Sequence, residues 1–121
     1  MRKKNYKGVK CTKRYVEKCE DVCRTYGAIQ YAYATLLSES DEVKSFKVNV
    51  LLEGIELDAP YTSDFVIEKQ NGDLMVRECV ERSKLTRPLT CKLLDASREY
   101  WLGHGVLDWG IVIEKEGAKD A

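Results

Sequence analysis

The tightest constraint on this chain is one dipeptide, Asn71-Gly72, set between two runs rich in strand-forming residues. Asn-Gly between such runs is the strongest short-range hairpin signal, because both residues tolerate left-handed backbone angles. Tyr61–Lys69 and Leu74–Val80 are therefore expected to pair antiparallel. A three-residue loop with Gly72 left-handed pairs Lys69 with Asp73, and the same register sets Asp64 opposite Glu78. Their side chains would share one sheet face, with Cβ atoms about 5 Å apart. Two facing carboxylates repel unless a divalent metal, a raised pKa or a nearby Arg or Lys joins them. Phosphodiester cleavage uses such pairs to hold Mg2+, which activates water and stabilises developing charge. The simpler structural reading is that one carboxylate turns to solvent or bonds the basic linker beyond the hairpin.

The rest of the chain supplies a frame for that hairpin. Val22, Tyr26, Ile29, Tyr33, Leu36 and Leu37 fall on a helical stripe, predicting a helix over about Tyr15 to Leu37 that Gly27 can break in two. Ser38-Glu39-Ser40-Asp41 is a polar stop. Phe46, Val48, Val50 and Leu52 alternate, which predicts a half-buried strand over Val43 to Leu52. Gly54 to Pro60 reads as a loop or sharp bend. Pro88 opens a helix running to about Leu102, with Leu89, Leu93, Ala96 or Ser97, and Tyr100 as its buried stripe. Trp101 lies beside that stripe and is the better candidate for an exposed aromatic. Gly103-His104-Gly105 stops the helix, and Val106 to Ile113 forms a last strand on which Trp109 packs. The order is helix, three mostly antiparallel strands, helix, strand: one α/β (α+β) domain with a mixed central sheet, spanning 1–121. A basic arm occupies about 1–14 and a charged tail about 115–121.

Charge and cysteine usage narrow the partners. Basic and acidic residues balance at 20 each, so net charge alone points to no polyanion. The distribution is uneven. The first 16 residues carry Arg2, Lys3, Lys4, Lys7, Lys10, Lys13 and Arg14 and no acid, and Arg82 to Leu94 carries Arg82, Lys84, Arg87 and Lys92 with no acid. Together they could form one phosphate-binding surface, with Tyr6 and Tyr15 interleaved as an aromatic–basic arm; the plainer reading of the first few is a solvated terminus. The 5 cysteines show no disulfide-framework spacing, as expected of a reducing, cytoplasmic setting. Cys19 and Cys23 lie four apart and could share a helix face. With Cys11 they could offer three thiolates to zinc, yet no CxxC pair accompanies them and the only histidine, His104, lies in the Gly-His-Gly turn, so ordinary reduced thiols are expected. No apolar run approaches the ~20 residues that span a bilayer, so no membrane association is expected.

The run Tyr61-Thr-Ser-Asp64-Phe-Val-Ile, followed by Asn71-Gly72 and Val76-Arg-Glu78-Cys-Val80, resembles the signature of the PD-(D/E)XK, or restriction-endonuclease-like, superfamily. It is most similar to TnsA-type transposon endonucleases, over about Tyr26 to Ile113. The resemblance implies an endonuclease-like core from a phage or mobile element, with Asp64 and Glu78 as metal-binding and catalytic carboxylates for Mg2+ or Mn2+. Gln30 falls roughly where the family's upstream helix carries a glutamate, and Ser63 where proline is usual. The family lysine, two residues after the second carboxylate, falls on Val80, which offers neither charge nor hydrogen bond. Lys69 and Arg77 have the wrong strand parity to replace it, leaving Lys84, Arg82 or Lys92. Two expectations follow. One is a metal-dependent endonuclease in which Lys84 or Arg82 supplies the lost cation. The other is a non-cutting module that binds DNA through Lys3, Lys4, Lys7, Lys10, Arg82, Lys84, Arg87 and Lys92, or binds protein. Its protein partner would be a transposase, a recombinase or a host nuclease, and homodimers are common in the superfamily.

Overall fold

The structure is a computed structural model that describes residues 10–114. The hairpin forms as its dipeptide requires. Gly72 has φ 90°, its N–H bonds Lys69 O at 2.9 Å, and Lys69 N–H bonds Asp73 O at 2.9 Å. It joins β4 (Thr62–Lys69) to β5 (Leu74–Cys79). With β3 (Val43–Leu51) and β6 (Asp108–Val112) they make a four-stranded sheet in the order β3-β4-β5-β6. The first two pairings are antiparallel and the last is parallel. That parallel step needs a long crossover, which α2 (Pro88–Gly103) supplies. The second helix, α1 (Ala28–Glu39), precedes the sheet. A separate two-stranded ribbon pairs β1 (Cys11–Arg14) with β2 (Cys23–Tyr26).

The helices cover opposite faces of the sheet. Phe65 and Ile67 pack with Ala34 and Leu37 of α1, while Val66, between them, packs with Trp101 of α2. Both sides are dry: Phe46, Phe65, Ile67 and Val76 are at most 1% exposed. Burying each such side chain contributes about 1.5–3 kcal/mol, so the two layers supply most of the driving force for folding.

The alternation is not uniform along β3 and β4. Phe46 and Val48 lie on the α1 side, but Val50 and Leu52 lie on the α2 side. Across the sheet, Phe65 faces α1 whereas Ser63 bonds Trp101 of α2. The register is unbroken on both sides of the change, with Val48 opposite Phe65 and Val50 opposite Ser63. Asn49 sits at the change with φ 51°, a left-handed conformation that asparagine tolerates and β-branched residues resist. One left-handed residue thus rolls the alternation over at the Asn49/Asp64 position.

The N-terminal part differs from its expected form. The helix does not begin near Tyr15 but at Ala28, after Gly27 at φ 89°. Val22 and Tyr26 lie at helical spacing only by coincidence. The residues that are buried there are Cys23 and Thr25, at 0% and 1% exposure, which is strand alternation. Cys11–Arg14, expected in the basic arm, is strand β1; residues 1–9 and 115–121, with Lys3, Lys4 and Lys7, lie outside the described residues. The loop from β1 to β2 is stitched to the edge of β3, through Phe46 N–H to Lys18 O at 2.9 Å and Glu20 N–H to Phe46 O at 3.1 Å. Covering an edge in this way protects it from foreign strands.

In α2 the buried face is shifted by one position. Leu94, Ser97 and Trp101 are buried, while Leu89 is 66% exposed. Leu36 of α1, placed on a buried stripe by its spacing, is 56% exposed.

Candidate functional site

Five consecutive residues, Tyr61 to Phe65, are 0% exposed, and Glu78 opposite them is also 0% exposed. The β4–β5 ladder runs through Phe65 opposite Arg77. One step on, the strands part and the carboxylates fill the gap. Glu78 Oε1 accepts the Asp64 backbone N–H at 2.9 Å, and Asp64 Oδ2 accepts the Cys79 backbone N–H at 2.7 Å. Side-chain oxygens here do the work that carbonyls do along the rest of the ladder.

The two carboxylates are opposite in register, as the hairpin arithmetic requires, but they do not share a face. Glu78 leans toward α2. Its Oε2 accepts the hydroxyls of Ser97 at 2.6 Å, Ser63 at 2.7 Å and Tyr61 at 3.1 Å. Two indoles back those serines: Trp101 Nε1–H donates to Ser63 Oγ at 2.9 Å and Trp109 Nε1–H to Ser97 Oγ at 3.0 Å. Trp101, expected to be an exposed aromatic, is thereby fixed in the core. Asp64 leans toward α1, where its Oδ1 accepts Gln30 Nε2–H at 2.5 Å. Gln30 is 2% exposed and uses its remaining amide groups locally. Its Oε1 accepts Tyr26 N–H at 2.8 Å, and its Nε2 also donates to Asn49 Oδ1 at 3.1 Å. The reason for the divergence is the roll at Asn49, which turns Asp64 away from the face that Val66 occupies.

Gln30, which the family resemblance offered as a metal ligand, meets Asp64 as a hydrogen-bond donor, while the candidate cations go elsewhere. Lys84 pairs with Glu81 at 3.6 Å, in a short turn at Arg82–Lys84. Arg82 bonds Glu114, through its backbone N–H at 2.6 Å and its guanidinium at 3.2 Å. Arg87, the N-cap residue of α2, and Lys92 within its first turns are exposed. Val80 is buried at 6% exposure, its N–H bonded to Val112 O at 2.9 Å. Lys69 and Arg77, excluded by parity, form an ion cluster on Asp108, at 3.0 and 2.7 Å. Both cations hold the Asp108 carboxyl below the usual range, with the Arg77 hydrogen bond the larger cause. Gly110 belongs to this cluster, because a Cβ there would come 3.3 Å from Arg77 Nε. Among the described residues, no group of three or more His, Cys, Asp or Glu is arranged to hold a metal ion.

One basic feature escaped the sequence reading. In the β1–β2 ribbon, Lys13 stands directly opposite Arg24, and both are exposed. Neither has an acidic partner among the described residues. Like charges facing across a ribbon are destabilising, so this face favours an anion from outside. Lys10 is exposed at the start of β1, and Tyr15, 94% exposed, follows its end. The signal in the sequence was the alternation of Arg24 with buried Cys23 and Thr25, hidden while that segment was read as a helix.

Compared with models of known protein families, the chain matches none, and it matches no curated protein. No helix among the described residues is long and apolar enough to cross a membrane.

Proposed function

We propose that this chain is a DNA-binding module on a restriction-endonuclease-like core that does not cut. The observation that carries the reading is the hydrogen bonding of Asp64 and Glu78: all four oxygens accept donors from the protein itself. In the superfamily the chain resembles, this pair would hold Mg2+ or Mn2+. Here a metal would have to displace backbone N–H groups and hydroxyls that have no water to turn to. Each donor left unpaired in the interior costs about 1–3 kcal/mol. Val80 in the lysine position adds no group to position a nucleophile. The element order and the mixed sheet support the core assignment, and the resemblance in the hairpin residues supports its kinship.

The binding surface is the basic ribbon, with Lys10, Lys13 and Arg24 contacting phosphates and Tyr15 offering a stacking face. Lys3, Lys4 and Lys7 extend the same basic run in the sequence. Arg87 at the N-cap of α2 and Lys92 on α2 are secondary contacts. Such a module would serve as an accessory subunit beside a transposase or recombinase.

Fluorescence anisotropy of labelled duplex DNA tests this. Binding is expected in EDTA as well as in Mg2+, weakening steeply with salt. The double variant Lys13→Glu/Arg24→Glu is expected to weaken it at least tenfold and flatten the salt slope by about 2, one for each phosphate no longer neutralised. Mg2+-dependent cleavage abolished by Asp64→Ala, or no DNA binding at low salt, would overturn the reading.

A further inference from the structure

The two edges of the sheet are finished differently. The β3 edge is covered by the β1–β2 loop, through Lys18 and Glu20 on Phe46. The β6 edge has no such cover among the described residues. Which backbone groups of β6 face outward follows from its pairing with β5. Val112 lies opposite Cys79, and its carbonyl accepts the Val80 N–H at 2.9 Å. In a parallel ladder alternate residues bond the neighbour, so Asp108, Gly110 and Val112 turn their backbone groups to β5. Trp109, Ile111 and Ile113 turn theirs outward. The Trp109 N–H bonds back to Leu107 O at 3.1 Å. Its carbonyl, and both backbone groups of Ile111 and Ile113, meet no backbone partner among the described residues.

These groups are arranged to pair with a copy of themselves. About a twofold axis at Ile111, antiparallel strands set Ile111 opposite the partner's Ile111 and Trp109 opposite the partner's Ile113. The two Ile111 residues then exchange N–H···O bonds, and each Ile113 N–H meets the partner's Trp109 carbonyl. Trp109 to Ile113 carry no charge, so nothing within the ladder repels. Trp109, Ile111 and Ile113 share the α2 side of the sheet, where Trp109 packs, and aromatic–β-branched cross-strand pairs of this kind favour pairing. Ile111 is 43% exposed although it lies mid-strand, and a second strand would cover it. At the ends of the ladder Asp108 stands opposite the partner's Glu114. Lys69 and Arg77 both bond Asp108, at 3.0 and 2.7 Å, which leaves two cations to one carboxylate. The partner's Glu114 therefore meets a surplus of positive charge.

We propose that β6 is the seam of a homodimer, in which two copies pair antiparallel about Ile111 and join their four-stranded sheets into one. The interface is isologous, so it closes on two copies and leaves no β6 edge open. A ladder this short falls below the ~1,200 Å² of a standard interface, so the dimer is reversible and forms at about 10–100 µM. The seam lies at the opposite edge of the sheet from the loop that carries the basic ribbon, and it needs no DNA to form.

Sedimentation velocity of the full chain from about 5 to 500 µM tests the seam. The expected result is a shift from monomer to dimer with concentration, while hydrogen exchange at the Ile111 and Ile113 amides slows in step. Ile111→Lys sets two like charges opposite each other at the axis and is expected to weaken association about tenfold or more. Ile113→Pro removes one outward N–H without touching the β5 ladder and is expected to weaken it as well. Tryptophan fluorescence checks that both variants stay folded. A chain that stays monomeric throughout that range would overturn the proposal, as would a dimer that neither folded variant weakens. So would Ile111 and Ile113 amides protected equally at every concentration, a readout on the wild-type chain that needs no variant to fold.

Discussion

Glu78 and Asp64 face each other across one hairpin, yet the regions around them are built differently. Glu78 is enclosed by side chains: three hydroxyls on one oxygen, with Trp101 and Trp109 behind them. Asp64 accepts the Cys79 backbone N–H and the Gln30 amide, and that amide leads on to Tyr26 of β2 and Asn49 of β3. The first region joins α2 to the sheet. The second joins α1 and the N-terminal ribbon to β5. Two residues of nearly identical chemistry thus secure different parts of the fold, and the lesson is that a buried acid is defined by its donors. Facing carboxylates suggest a metal only while their lone pairs are free; here protein donors take them.

The difference can be broken first at Glu78. Glu78→Ala leaves three hydroxyls and the Asp64 N–H without their acceptor, and is expected to cost on the order of 4 kcal/mol. That is a large share of the roughly 5–15 kcal/mol of a domain. Asp64→Ala removes the acceptor of the Cys79 N–H and the Gln30 amide and is expected to cost on the order of 2 kcal/mol, with hydrogen exchange rising chiefly in β2 and at the start of α1. Urea unfolding monitored by tryptophan fluorescence measures both; equal losses would erase the contrast.

The smallest effect lies outside both regions, at Asp108, where Arg77 and Lys69 depress the carboxyl pKa. A depressed acid contributes stability above its unfolded pKa of ~3.9 and loses it as pH falls through the lower folded value. Its side chain is 38% exposed, so screening limits the contribution to ~0.5 kcal/mol. In acid titrations of stability, Asp108→Asn is expected to shift the curve slightly below pH 4 and leave the Glu78–Asp64 contrast intact.

Much of this fold was legible because local chemistry sets it. Asn71-Gly72 dictates the turn, the turn dictates the register, and Pro88 marks the start of α2. What escaped depends on contacts distant in sequence. Counting by twos puts Asp64 and Glu78 on one face, and only the left-handed Asn49 on the neighbouring strand undoes that count. A polar Asn amid Phe46, Val48 and Val50 was the visible clue. Trp101 read as exposed because the stripe was drawn through Tyr100, one position from the face that is buried, where Ser63 accepts its N–H. Cys23 and Thr25 read as helix because threonine does not register as apolar, although here it is buried. No pattern in the residues put Gln30 beside Asp64; the family resemblance alone offered it, as a metal ligand, and here it donates to Asp64 instead.

The most direct measurement is isothermal titration of Mn2+ into the folded chain, beside Asp64→Asn and Glu78→Gln. The account predicts no site-specific heat at millimolar Mn2+ and no change between the wild-type chain and either variant. Stoichiometric binding that both substitutions abolish would contradict it, and would return Asp64 and Glu78 to the role of metal ligands.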